Sequence, residues 1–180
     1  MRALQAGRTS ELGTLFERHH GRLYGFCYRM TGKSEVSEDM VQEVFVRILR
    51  YRDNFRPESD FRAWLFTLAR NVCNDYFRRA KVRSIEIAVE TEEHEEAPSL
   101  EPSPEIHVAE GEASERLHRA LLQLPEADRE LIVLARFEMV RQRELADYFG
   151  CTLSAIKTRL HRAIRRLGDS YRQLETEAIR

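Results

Sequence analysis

Residues 84–115, SIEIAVETEEHEEAPSLEPSPEIHVAEGEASE, carry eleven acidic side chains, no Lys or Arg, three prolines and no aromatic residue. Such a stretch offers little apolar area to offset the entropy of ordering it, and its like charges repel one another. A core running through it would bury carboxylates without partners. The 180 residues are therefore expected to fold as two small bodies on either side of it, each with a thin core. The stretch itself reads either as a solvated spacer that holds the two apart, or as a segment whose charge imitates nucleic acid. The expected division is 8–83, an acidic flexible linker over 84–113, and 114–178.

The flanking blocks are basic. Lys and Arg outnumber Asp and Glu by 16 to 10 over residues 1–83 and by 13 to 9 over 116–180, whereas the overall charge is only -1. A polyanion meets local fields rather than the mean, so the near-neutral total does not argue against a nucleic-acid partner. No run of apolar residues is long enough for a membrane span, and MRALQAGRTS lacks the apolar block of a secretory signal. The expected compartment is the cytoplasm. Cys27, Cys73 and Cys151 stand alone, with no histidine at ligand spacing, and read as buried thiols rather than metal or redox groups. No metal or cofactor is expected.

Both blocks read as helices, and no strand signal appears. Leu12, Leu15, Phe16, His19, Leu23, Phe26, Cys27 and Met30 recur at three- and four-residue steps, TGKS supplies a turn with Ser34 as a possible cap, and Val36, Met40, Val41, Val44, Phe45, Ile48 and Leu49 continue the pattern to about Tyr51. Pro57 biases Arg56 away from helix, and Ser59 or Asp60 can cap a third helix from about Phe61 to Arg79, striped by Phe61, Leu65, Leu68, Val72 and Tyr76. Three such helices close a small bundle. Beyond the acidic stretch a helix is expected over about Ser114 to Leu124, another after Pro125 through Asp128, Leu131, Ile132, Leu134 and Ala135, and two more separated at Gly150. The fold class is all-α, a helical bundle followed by a helix-turn-helix.

In RELADYFGCTLSAIKTRL, Ala146 lets two helices approach closely, Gly150 accepts a tight or left-handed turn, and Ile156 locks the second helix on the first. Thr152 can cap that second helix, whose buried stripe is Ile156, Leu160, Ala163, Ile164 and Leu167. At roughly 100° per residue Ser154, Thr158, His161, Arg162 and Arg165 fall on the opposite face, with Lys157, Arg159 and Arg166 at the shoulders. Short hydroxyls near the helix start and long cations further on suit the DNA major groove. Arginine on the wet side of an amphipathic helix is common, but the segment 150–168 contains no acidic residue at all.

The segments SEDMVQEVFVRILRYRDNFR, FRAWLFTLARNVCNDYFRR, LPEADRELIVLARFE, ELADYFG and IKTRLHRAIRRL, in this order, closely resemble the extracytoplasmic-function group of bacterial sigma factors of the sigma-70 superfamily, over about residues 11–83 and 114–170. The resemblance implies a dissociable promoter-recognition subunit of RNA polymerase that keeps sigma domains two and four. It implies that Asp39, Gln42, Glu43 and Arg47 form an exposed patch facing the clamp helices of the polymerase's largest subunit, while Met40, Val44 and Ile48 lean into the bundle. Residues 39 and 43 are an acidic i, i+4 pair, slightly unfavourable in isolation and useful against a basic partner.

It further implies that Asn54, Phe55, Arg56, Ser59, Asp60, Phe61, Arg62 and Trp64 form the pocket of the -10 element, with Arg70, Asn71, Asn74, Arg78 and Arg79 tracking the single strand or the duplex edge. A flipped base needs an apolar wall and polar edges. Plain core packing is the competing reading of Phe61 and Trp64. For the -35 element the implied residues are Arg141, Arg143, Ser154, Lys157, Thr158, His161, Arg162 and Arg165. The implied partners are promoter DNA, core polymerase, including the flap of its second-largest subunit, and an anti-sigma factor.

Two positions depart from the pattern. Arg141 stands where such proteins carry a Ser or Thr cap three residues before Glu144, and Met139 where a glycine is common, so the turn there is expected to differ in shape. A dimeric repressor would account for 141–167 but not for DMVQEVF or the aromatic helix, and an adaptor would place its activity in the acidic stretch. An enzyme fits least. His19, His20, His118 and His161 lie in separate elements, and no glycine-rich phosphate loop is present.

Overall fold

The computed structural model describes residues 1–90 and 111–178, with the backbone alone over 84–90. Most of the acidic stretch, 91–110, lies outside the described residues. In chain order the elements are α1 (Arg2–Gln5), α2 (Glu11–Thr31), α3 (Ser34–Tyr51), a 3-10 turn (Arg52–Asn54), α4 (Phe61–Glu90), α5 (Glu112–Leu122), α6 (Glu126–Ile132), a π-helical turn (Val133–Phe137), α7 (Gln142–Tyr148) and α8 (Leu153–Ala178). No strand occurs among the described residues, and none of their helices is long and apolar enough to cross a membrane. The chain divides into two compact units, Met1–Cys27 with Glu35–Ser99, and Tyr28–Ser34 with Leu100–Arg180.

In the first unit most of the stripes read from sequence become the core, although Phe16 is exposed and Leu12, Leu15, Phe61 and Tyr76 are only half-buried. Leu23, Phe26 and Cys27 of α2, Met40, Val44 and Ile48 of α3, and Leu65, Phe66, Ala69, Val72 and Cys73 of α4 are buried. Phe16 meets Phe45 with ring centroids 5.0 Å apart, Phe26 meets the edge of Phe66 at 5.4 Å, and the Cys73 thiol lies 3.8 Å from the Met40 sulfur. Each large side chain taken out of water contributes roughly 1.5–3 kcal/mol, which is how helices of marginal intrinsic stability are held. α4 starts as its sequence dictates, because the Asp60 carboxylate accepts the backbone N–H groups of Arg62 (2.7 Å) and Ala63 (3.2 Å). The helix then runs to Glu90, so residues 84–90, assigned above to the linker, are helical.

A charged network joins α3 to α4. The Arg47 guanidinium donates to Glu43 at 2.7 Å and to Asp75 at 2.8 Å, and Arg78 donates to the other oxygen of Asp75 at 2.8 Å. The hydrogen bond from Arg47 holds the Asp75 carboxyl below its ordinary value, with the charges of Arg47, Arg78 and Arg79 adding to it. Burial works against the Arg47 cation, but the bonds to Glu43 and Asp75 more than offset it.

In the second unit Leu121, Leu131, Ile132, Val133, Leu134, Leu145, Ile156, Leu160 and Ala163 are buried. The buried Arg129 donates to the carbonyls of Leu122 (2.8 Å) and Leu124 (3.0 Å), satisfying acceptors that the end of α5 leaves open. Tyr148 donates to Glu130 at 2.9 Å, and Arg166 pairs with Asp128. Gly150 adopts φ 60°, the left-handed turn expected of it, and the N–H of Cys151 returns to the Ala146 carbonyl at 2.9 Å. Thr152 caps α8 by accepting the N–H of Ala155 at 3.1 Å.

Three expectations are corrected. Ile164 is exposed, because eight residues beyond Ile156 it stands about 80° round the helix from that residue, whereas Leu160 and Ala163 stay close to the stripe. Cys151, in the turn, is only half-buried, unlike Cys27 and Cys73. The helix after Pro125 does not run on as α-helix but loosens into the π-helical turn at Val133. Met139 then takes φ 55°, in the left-handed region that glycine favours, while its side chain is 68% exposed. A side chain at such a φ costs on the order of 1 kcal/mol.

Two paired outcomes follow for stability. Met139→Gly should raise the unfolding free energy of the second unit by about 1 kcal/mol, and Gly150→Ala should lower it by a similar amount although a Cβ there meets nothing within 4 Å, both read from urea unfolding midpoints. Asp75→Asn should destabilise the first unit by about 1 kcal/mol at neutral pH. Because the carboxyl is held below 3.8 when folded, its contribution is present above that value and lost as pH falls through the depressed one. The difference between wild type and variant should thus stay flat above about pH 5 and narrow under more acidic conditions; a difference independent of pH would contradict the account.

Candidate nucleic-acid interfaces

The connection between α3 and α4 is short and specified residue by residue. Arg52–Asn54 make one 3-10 turn, Phe55 leaves it in extended geometry, and the N–H and hydroxyl of Ser59 both donate to the Arg56 carbonyl, at 2.9 and 2.6 Å. Ser59 thus forms the turn while Asp60, three residues before Ala63, caps the helix. Phe55 is buried; Phe61 and Trp64 are half-buried. Their rings form a triangle with centroids 5.3 Å (Phe55–Trp64), 5.8 Å (Phe55–Phe61) and 6.0 Å (Phe61–Trp64) apart.

His19 of α2 closes on Phe61 edge to face at 5.2 Å. Burial and then the neighbouring cations Arg18 and Arg22 hold that imidazole below its ordinary value, so it sits neutral against the aromatic wall at physiological pH. Packing and exposure therefore coexist here: Phe55 belongs to the core, while Phe61 and Trp64 keep part of their surface outward. Asn54, Arg56, Ser59 and Asp60 stand exposed around them, and Arg62 is half-buried. An apolar wall ringed by polar side chains has the make-up a flipped base requires.

Along α4, Asn71, Asn74 and Arg78 recur at three- and four-residue steps on one exposed face. Arg79 is also exposed, whereas Arg70 is half-buried. Arg79 also turns toward α3. It lines, with Asp39, Glu43, Arg47, Asp75 and Tyr76, a groove of about 340 Å³ between α3 and α4. Asp39 and Gln42 are exposed as expected, but the Arg47 side chain is only 15% exposed and is bound inward to Asp75. The expected exposed patch on α3 thus reduces to Asp39 and Gln42, because Glu43 is half-buried and bonded to Arg47.

In the second unit α8 presents Ser154, Lys157, Thr158, His161, Arg162 and Arg165 on one exposed face. Among the described residues Lys157, Arg162 and Arg165 have no ion-pair partner. The shoulder cations differ: Arg166 is bound to Asp128, and the Arg159 guanidinium lies over the Phe149 ring at 5.1 Å. On α7, Glu144 accepts the backbone N–H of Arg141 at 3.2 Å and its Nε–H at 2.8 Å. A guanidinium has no acceptor to return to the helix start, so the cap lacks its hydroxyl half, as expected. Arg143 is exposed.

Sequence reasoning missed Asp75, His19 and Gln5. Asp75 carried a signal, being the one acidic residue between Phe61 and Arg83 among many cations. The sequence places His19 in the α2 stripe and sets it aside as a catalytic group without pointing to Phe61, and nothing local marks Gln5, whose partners lie about fifty residues away.

Comparison with known proteins bears on both interfaces. Residues 15–83 match the family described as Sigma-70 region 2, and residues 114–167 match Sigma-70, region 4. The chain is 33% identical to the ECF RNA polymerase sigma factor BldN of Streptomyces coelicolor over 91% of its own length, and spans about three-fifths (61%) of that relative. It is 32% identical to the RNA polymerase sigma factor CnrH of Cupriavidus metallidurans, over 88% of this chain and 85% of that one. A solved structure of CnrH in complex with the cytosolic domain of CnrY superposes with a TM-score of 0.66 at 25% identity, covering 92% of this chain and 90% of that one. With both matched regions present in order, on two helical units, the chain belongs to the extracytoplasmic-function group of the sigma-70 factors.

Proposed function

We propose that the chain is a promoter-recognition subunit that joins core RNA polymerase, reads the -35 and -10 elements and promotes strand opening. The observation that carries this is the pairing of two unlike surfaces in one chain. One is a half-exposed aromatic wall rimmed by polar side chains, suited to unpaired bases. The other is a helix face of hydroxyls and unpaired cations behind a left-handed glycine turn, suited to duplex DNA.

On this reading residues 8–83 dock on polymerase and engage the -10 element, 114–178 read the -35 element, and 84–113 join them. Asp39, Gln42 and Glu43 face the clamp helices of the largest subunit, with Arg47 acting from behind through Glu43, and the second unit meets the flap of the second-largest subunit. Phosphodiester synthesis belongs to the polymerase, so this chain works by binding in the cytoplasm and is not itself an enzyme. An anti-sigma factor is the expected regulator, in keeping with the relative CnrH, whose structure was solved in complex with the cytosolic domain of CnrY.

Opening costs on the order of a few kcal/mol per flipped base, and contacts made only with the separated strand offset it. Asn54, Arg56, Ser59, Asp60 and Arg62 supply polar edges beside Phe61 and Trp64, while Asn71, Asn74, Arg78 and Arg79 continue the track along α4. Transcription in vitro with core polymerase on a randomised promoter library tests the whole reading. The expected product is one start site fixed by two spaced motifs; a chain that leaves start-site choice unchanged refutes it.

Within that assay, Arg162→Ala and Arg165→Ala should each weaken use of promoters carrying the recovered -35 motif. A base contact loses about 1–3 kcal/mol at one position of the motif, whereas a phosphate contact weakens all sequences alike and lowers the salt slope by about 1. Replacing both Arg141 and Arg143 with alanine should flatten the salt dependence by about 1 rather than 2, since Glu144 already neutralises Arg141. Equal salt slopes in that double variant and wild type would exclude Arg143 from phosphate contact.

A further inference from the structure

The matched region 2 begins at residue 15, yet α1, well before it, reaches into the connection that the -10 element uses. Leu4 is wholly buried. The side-chain amide of Gln5 donates one hydrogen to the carbonyl of Arg52 and the other to the carbonyl of Phe55, both at 2.9 Å. Those two carbonyls stand at the first residue of the 3-10 turn and at the residue just after its end, so a single amide clasps both.

The clasp acts where the backbone is otherwise weakest. A three-residue 3-10 turn has poor hydrogen-bond geometry and few bonds of its own, here the N–H of Phe55 to the Arg52 carbonyl at 3.2 Å. Phe55 is also the ring on which Trp64 and Phe61 lean. Fixing its carbonyl fixes the direction in which the chain leaves the core, and with it the placement of Arg56, Ser59 and Asp60. Those side chains are exposed, and nothing on their own segment beyond the Ser59–Arg56 turn and the Asp60 cap holds them.

We propose that Leu4 and Gln5 are positioning residues for recognition of the -10 element: Leu4 anchors α1 in the core, and Gln5 clamps the 3-10 turn so that the loop and its aromatic wall are preformed for an unpaired base. This rests on the sigma-factor reading given above. Preorganisation lowers the ordering cost at the moment of capture, so the effect falls on the step that distinguishes one base from another and not on docking to polymerase.

The test uses the full chain with core polymerase, on the promoter recovered from the randomised library and on single-base variants of its -10 element. Gln5→Met keeps the length and apolar stem of the side chain but removes both donors; Gln5→Glu sets a carboxylate against two carbonyls. The ratio of initiation rates between the best base and its substitutes should fall by about tenfold in Gln5→Met and further in Gln5→Glu. Affinity for core polymerase and discrimination at the -35 element should stay within about twofold of wild type. Leu4→Ala should act in the same direction; if it unfolds, Gln5→Met decides alone.

An unchanged discrimination ratio in Gln5→Met overturns the inference. So does a uniform loss on all promoters that tracks weaker polymerase binding, which is what a merely structural role would give. A wild-type chain that confers no promoter choice removes the sigma-factor reading itself, and the two failures are thereby told apart.

Discussion

The pairing of cations inside each unit decides what the rest of the molecule can do. A chain with 29 Lys and Arg residues has many candidate contacts for a polyanion, but a guanidinium already held by a carboxylate has little left to offer. Arg47 and Arg78 converge on Asp75, Arg166 on Asp128, and Arg141 on Glu144. What stays outward on α8 is a narrow set at helical spacing, Lys157, Arg162 and Arg165, together with His161 and two hydroxyls. The internal pairs sharpen a basic surface into a directional one.

Asp75 has a further consequence because its two partners lie on different surfaces. Arg47 belongs to the helix proposed to face polymerase, and Arg78 to the face proposed to follow the separated strand. One carboxylate therefore sits between them, and Arg79 and Glu43 line the same groove. An acidic side chain at this point also lowers the mutual repulsion of three arginines that would otherwise crowd the α3–α4 seam.

Much of this was legible in the sequence, for reasons that can be named. The start of α4, with Asp60 as its cap out of the two residues offered for that role, the Thr152 cap and the Gly150 turn are local matters, set by residues within four or five positions of each other, and they stand as expected. The exposed face of α8 follows from period alone. What periodicity could not give was the breadth of the buried stripe, which depends on how far the neighbouring helices extend; Ile164 falls outside it for that reason. Nor could it give the inward fate of Arg47, since Asp75 is 28 residues away, or the π-helical turn at Val133. Met139 illustrates a third kind of limit. The sequence marks it as unusual, but only the backbone angle of 55° says that the side chain sits in a conformation suited to glycine.

The two candidate interfaces differ in the kind of rigidity they need. A helix that reads duplex DNA can be rigid by construction: α8 is one unbroken element of 26 residues, and its side chains inherit their spacing from it. A loop that receives an unpaired base has no such scaffold, yet it must favour the separated state over the paired one. Affinity shared equally by both states does nothing to open the duplex, so what counts is contact available only after separation and already in place when the base arrives. The aromatic triangle of Phe55, Phe61 and Trp64, braced by His19 from one side and by the Gln5 amide from another, gives the loop that prior order. Strand selection would then depend on α1 and α2 as much as on the loop itself. On that proposal these helices lie outside the segment that would read the base, and the energy they contribute would appear as discrimination rather than as contact.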